Sequence, residues 1–207
     1  MKQALCVNLS ALESVGLNTE VNTIQYIDIS TITEDQYSYK DRAIVDDVNN
    51  VSEASLTPQI LGYAVIRVMT ATDIWYMVYR RPDKGNETRL RGLNSMGFGG
   101  HVEPVDAAVN TLGTLKEALK REIEEEVGLV IDLPLIHFSG VIYDTSNDVG
   151  KVHVGLVSII DINLEELVNV KPSEETGSIE MYNTESLFTN KEQFESWSQI
   201  IITALEN

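Results

Sequence analysis

Arg121-Glu122-Ile123-Glu124-Glu125-Glu126-Val127-Gly128-Leu129 is the stretch on which the reading of this chain turns. Carried back along the sequence at about 100° per residue, Leu115, Leu119, Ile123 and Val127 line up as one apolar stripe, which predicts an amphipathic helix. Thr114-Leu115-Lys116-Glu117 has the order of a capping box and predicts the helix start at Thr114. Gly128 suits its stop, because the residue after a helix often adopts a left-handed conformation. Glu122 and Glu126 fall beside the stripe and Glu125 lies at its edge, whereas Glu117, Lys120 and Glu124 point to solvent. Carboxylates at i, i+3 and i+4 occupy neighbouring turns. Held inward they repel one another and lose hydration, unless something positive neutralises them. The spacing alone leaves two readings open. One is a solvated acidic helix; the other is a site for a hard divalent cation, Mg²⁺ or Mn²⁺, which prefers oxygen ligands.

Composition narrows the partners. The 207 residues include 32 acids against 15 Lys and Arg, a formal net charge of −17. That charge repels nucleic-acid backbones, so no long DNA or RNA partner is expected. A small anionic substrate stays open, since bound divalent ions reverse the local sign. With 43% hydrophobic residues the chain can bury a substantial core. No apolar run approaches the roughly 18–20 residues of a membrane span. The opening MKQALCVNLSALESVG does not read as a signal peptide. A cytoplasmic protein with no membrane partner is the expectation, and a homodimer is compatible with it. The single Cys6 excludes an internal disulfide or a cysteine cluster and reads as a buried, inert thiol.

The chain divides, on texture, into residues 1–58 and 59–207. The first part offers one strand, Ile24–Ile29, among polar segments, and reads as an N-terminal extension or small subdomain. Beyond it, residues 63–68 and 74–79 are β-branched and aromatic runs separated by Thr70-Ala71-Thr72-Asp73, the pattern of a hairpin. A basic loop with Arg80, Arg81, Lys84, Arg89 and Arg91 follows, then the glycine-rich Met96-Gly97-Phe98-Gly99-Gly100-His101. Further strands are predicted around residues 137–143 and 152–160, joined by the turn-rich residues 145–150. An amphipathic stretch at residues 191–205 closes the chain, with Phe194, Trp197, Ile200, Ile201 and Leu205 at helical spacing.

Arg121 through Leu129 resembles the helical half of the Nudix box, Arg-Glu-apolar-x-Glu-Glu-x-Gly-apolar, at every defined position. Gly99-Gly100-His101-Val102-Glu103-Pro104 resembles its opening Gly-Gly-x-x-Glu-Pro, and Glu117-Ala118 sits where many members have Glu-Ala. The run from Arg89 to His101 is also similar to a branch described as MutT-like predicted phosphoesterases. One departure stands out: the twenty residues between Gly100 and Arg121 exceed the family's thirteen by seven. Asp106 takes the place of the usual loop glutamate counted from Gly100, and Gly113 takes it counted from Arg121.

The resemblance implies an α/β fold, a Nudix-type α/β/α sandwich with a mixed sheet, here with an N-terminal extension. It implies that Glu122, Glu125 and Glu126 bind Mg²⁺ or Mn²⁺ with the Gly100 carbonyl, and that Arg121 orients a carboxylate. Members often recruit a further acid from a later loop, for which Glu175 is chosen ahead of Glu174 and Glu180. Arg80, Arg81, Arg89 and Arg91 are candidates for gripping substrate phosphates. The activity implied is hydrolysis of a diphosphate bond in a nucleoside diphosphate derivative or a nucleoside triphosphate. The alternative is a nucleotide-sensing module of the same fold that does not turn its ligand over.

Overall fold

The computed structural model describes residues 2–47, 50–82, 90–174 and 176–206. In chain order the strands are β1 (Gln3–Val7), β2 (Ile24–Gln25), β3 (Tyr37–Asp41), β4 (Gln59–Met69), β5 (Ile74–Arg80), β6 (Asn94–Ser95), β7 (Gly97–Phe98), β8 (Phe138–Ile142), β9 (His153–Asn163) and β10 (Ile179–Asn183). The helices are α1 (Leu9–Ser14), α2 (Arg42–Val45), α3 (Val51–Ala54), α4 (Thr111–Val127), α5 (Asp148–Lys151), α6 (Thr184–Thr189) and α7 (Ser196–Leu205). Two compact units result: Met1–Tyr63 with Gly100–Leu119 and Phe138–Val157, and Ala64–Gly99 with Lys120–His137 and Ser158–Asn207.

In the first unit, β1 pairs antiparallel with β3 from Gln3↔Asp41 to Val7↔Tyr37, and meets β4 at Cys6↔Gln59. The polar texture of residues 1–58 hid this pairing: β1 is apolar and buried from Ala4 to Val7, but its partner β3 is polar or aromatic at every position. The predicted strand at residues 24–29 is cut to β2, which pairs with β8 at Ile24↔Ile142. Asp28 ends it: its carboxylate accepts the Ser30 N–H at 3.0 Å and caps a 3-10 turn. The core here joins Leu5, Val7, Leu12, Ile60, Val102, Leu115, Val141 and Val154, all buried. The turn predicted at residues 145–150 contains α5, capped by Asn147 through the Gly150 N–H at 2.9 Å.

In the second unit the hairpin is present, β4 and β5 pairing from Arg67↔Tyr76 to Met69↔Ile74 around a turn in which Thr70 N–H donates to the Asp73 carbonyl at 3.0 Å. Strand β10 lies antiparallel along β5, β6 pairs with β5, and β7 pairs with β4 at Ala64↔Phe98. The C-terminal stretch opens with a 3-10 turn, Lys191–Gln193, and becomes α-helical only from Ser196, where α7 buries Trp197, Ile201 and Ile202.

Helix α4 starts three residues earlier than the capping box indicated. Asn110 takes the cap, its side-chain oxygen accepting the Gly113 N–H at 2.8 Å and its carbonyl the Thr114 N–H at 3.0 Å. Asparagine is among the strongest N-caps, so it displaces Thr114, which is buried and accepts the Ala108 N–H instead. The apolar stripe is as expected, with Leu115, Leu119, Ile123 and Val127 each no more than 1% exposed.

Candidate active site

The last turns of α4 carry Arg121 and the three glutamates. One terminal nitrogen of Arg121 donates to Glu122 Oε1 at 2.8 Å and to Glu125 Oε2 at 3.1 Å. Glu125 is reached across one helical turn and its side chain is 61% exposed, whereas that of Glu122 is 17% exposed. A single guanidinium thus draws two carboxylates together and neutralises one charge of the pair. Glu126 is held separately: its Oε2 accepts the backbone N–H of Gly99 at 2.8 Å. Gly99 has φ +142°, a conformation that side-chain-bearing residues avoid, and this turns its N–H onto the carboxylate. The glycine-rich loop and the acidic helix, two motifs well separated in sequence, therefore meet at Glu126.

The end of α4 is tied down from the other side of the chain. The Glu126 carbonyl accepts both the Ser173 N–H at 2.9 Å and the Thr176 hydroxyl at 2.8 Å, and the Val127 carbonyl accepts the Lys171 N–H at 2.7 Å. Helices leave their last carbonyls without intrahelical donors, and this strap supplies them. Thr176 is fully buried. Sequence reasoning singled out this loop for its acids and missed the hydroxyl and amides that fasten it. Glu174 is exposed, as is Glu180 on β10. Glu175 lies outside the described residues.

The arginines separate into two kinds. Arg81 ion-pairs with Glu195 at 3.4 Å and lies over the Tyr79 ring, 5.6 Å from its centroid. Glu195 is itself buried and accepts from Ser95 Oγ at 2.8 Å and Ser198 Oγ at 3.3 Å. Burial holds the Tyr79 hydroxyl well above its ordinary range; Arg81 opposes the shift, while the charges of Glu126 and Glu195 add to it. Arg80 and Arg91 are exposed, and Arg89 lies outside the described residues. In the inserted loop, Asp106 is buried and accepts the Glu103 N–H at 2.8 Å, closing the 3-10 turn Pro104–Asp106.

No family model matches the chain. Over 131 residues it is 34% identical to Protein YmaB of Bacillus subtilis (strain 168), a match that takes in 62% of this chain and 64% of that protein. The chain thus spans less than two thirds of that relative's length. The crystal structure of Tm1382, classed with the Nudix hydrolases, superposes with a TM-score of 0.70 at 19% identity, covering 98% of this chain and 97% of that one. This chain has the Nudix fold. The NUDIX domain of Shewanella oneidensis NrtR, complexed with ADP ribose, gives a TM-score of 0.53 at 12% identity over 72% of this chain and 86% of that one. A bifunctional NMN adenylyltransferase/ADP ribose pyrophosphatase from Francisella tularensis, with AMP and a Mn ion, gives 0.53 at 14% identity over 80% and 48%. The expected α/β class with a mixed sheet is the one found. None of the described helices is long and apolar enough to cross a membrane.

Proposed function

We propose that this protein is a Nudix hydrolase that cleaves a diphosphate bond in a nucleoside diphosphate derivative or a nucleoside triphosphate, with Mg²⁺ or Mn²⁺ as cofactor. The observation that carries the reading is the end of α4, where Arg121 gathers Glu122 and Glu125 while the glycine loop reaches Glu126. This donor set fits a hard ion: it is all oxygen, partly buried and locally over-charged. Glu122, Glu125 and Glu126, with the Gly100 carbonyl, are the residues that would hold the ions. Bound there, such ions supply charge neutralisation for the phosphates and acidify an attacking water.

The chain's own groups have separate tasks. Arg121 orients Glu122 and Glu125 by charge-assisted hydrogen bonds. The Gly99 N–H fixes Glu126. Arg80, Arg89 and Arg91 meet substrate phosphates, and Arg81, engaged by Glu195, contributes from a fixed position. Glu175 is assigned the proton of the attacking water, the strap that flanks it being anchored to the Glu126 carbonyl. Residues 59–207 form the catalytic part and residues 1–58 an accessory element. The rival reading, a binding module without turnover, finds support in the ADP-ribose complex of the NrtR domain. The complete set of three carboxylates favours catalysis, since binding a nucleotide does not require it.

A screen of nucleotides and dinucleotides with Mg²⁺ or Mn²⁺, products resolved by chromatography, tests the proposal. Hydrolysis should cease with chelator, and Glu125→Gln should lower turnover by orders of magnitude with the fold intact. Turnover in metal-free buffer, or near-wild-type rates in that variant, would return α4 to a merely acidic helix. Glu175→Gln should keep substrate binding in Ca²⁺ and lose at least about tenfold of the Mg²⁺-supported rate, a typical general-base effect being larger. Glu174→Gln and Glu180→Gln should each lose less.

A further inference from the structure

We propose that Asp46, His101 and His153 form a further metal site, one suited to a borderline transition cation such as Zn²⁺. Each residue offers one ligand atom, and the three atoms lie within 4.8 Å of one another. They arrive from the turn after α2, from the bridge Leu61↔His101 and from the first residue of β9. Two of the chain's three histidines are gathered here.

The imidazoles are prepared for the task. His153 Nδ1 lies 2.7 Å from the Val149 carbonyl, which can only accept, so Nδ1 carries the proton and Nε2 presents a lone pair. A carbonyl behind the outer ring nitrogen is how proteins commonly orient a metal-binding histidine. The His101 ring stands edge-on to it, with 5.5 Å between centroids.

A fully buried amide supplies the second observation. Gln59 Nε2 donates to Asp46 Oδ1 at 2.7 Å and lies 3.0 Å from His153 Nε2. Its Oε1 is buried and has no hydrogen-bond partner among the described residues. Turning the amide over does not help, because its oxygen would then face a carboxylate and a ring lone pair. The described protein groups alone leave one end of Gln59 unsatisfied in either orientation. With an ion on the His153 lone pair, Gln59 Nε2 keeps its bond to Asp46 Oδ1 and holds that carboxylate toward the imidazole.

Two ring nitrogens and one carboxylate suit zinc-like ions better than Mg²⁺. Ligand atoms on a tetrahedral ion with bonds of about 2.0–2.1 Å stand roughly 3.3 Å apart, within side-chain adjustment of the present spacing. Asp46, exposed and also touched by Arg42 at 3.3 Å, leaves a way in.

Cobalt(II) is the probe. With millimolar Mg²⁺ present to engage the α4 carboxylates, the full chain should bind one equivalent of Co²⁺ and show the visible absorption of a low-coordinate, nitrogen-ligated ion. Asp46→Asn and His153→Ala should each weaken binding at least about tenfold and remove the band, while Glu122→Gln/Glu126→Gln keeps it. Should His153→Ala fail to fold, Asp46→Asn decides, since it preserves the oxygen that Gln59 holds. Unchanged Co²⁺ affinity in Asp46→Asn, or no binding by wild type in Mg²⁺, overturns the proposal.

Discussion

Glu126 answers to two demands, an acceptor for the Gly99 N–H and a charge for a cation, and substitution can separate them. Glu126→Gln keeps an acceptor oxygen, so its stability should stay within about 0.5 kcal/mol of wild type while hydrolysis collapses. Glu126→Ala strands the Gly99 N–H as well and should cost roughly 1 kcal/mol more, read by urea denaturation. Equal stability of the two variants would show that the hydrogen bond contributes nothing. A second residue gives a test in pH. Burial alone pushes the Tyr37 hydroxyl from 10.0 up to about 12. Because the folded value is the higher one, its contribution is complete below pH 10 and is lost as pH rises through about 12. Relative to Tyr37→Phe, wild type should lose about 1 kcal/mol of stability between pH 8 and pH 11. A constant difference across that range would refute the assignment.

At the scale of elements, the strap from Lys171 to Thr176 is the feature most open to mutation. Thr176→Val removes the bond from a buried hydroxyl to the Glu126 carbonyl with almost no change in shape. It should cost about 1–2 kcal/mol and speed hydrogen exchange in the last turn of α4 ahead of the rest of the helix. Uniform exchange in the variant would place the strap's contribution elsewhere. The strap also marks where the sequence stopped being informative. Helix α4 was legible because its apolar stripe recurs from Leu115 to Val127 and Glu122, Glu125 and Glu126 stand on neighbouring turns beside it. The hairpin was legible because two β-branched runs flank a short polar turn. The strap has no period: it depends on one hydroxyl and two backbone amides meeting carbonyls far back in the chain. Strand β1 was missed for a related reason, since its partner β3, Tyr37-Ser38-Tyr39-Lys40-Asp41, is nearly all polar or aromatic in composition. The early start of α4 was a contest between two caps, Asn110 and Thr114, that composition alone does not decide. Of the candidate site, the carboxylates and the glycine loop could be read from residue order; what fastens them could not.

The whole molecule carries a net charge of −17, and any divalent salt will relieve part of that self-repulsion. Specific binding must therefore be measured as a difference. Mg²⁺ should raise the melting temperature of wild type more than that of Glu122→Gln/Glu126→Gln, by mass action on the folded state. Equal shifts would mean that only general screening is at work. The Arg121 bridge sets one further condition on that experiment. The helix comes with a cation of its own, tethered by the chain and unable to diffuse away, so an incoming ion enters by exchange and not by simple addition. What a titration reports is then the preference of Glu122 and Glu125 for one occupant over the other. Trimming the tethered occupant should sharpen the titration and blunt the enzyme: Arg121→Ala is expected to hold Mg²⁺ more tightly and to hydrolyse more slowly.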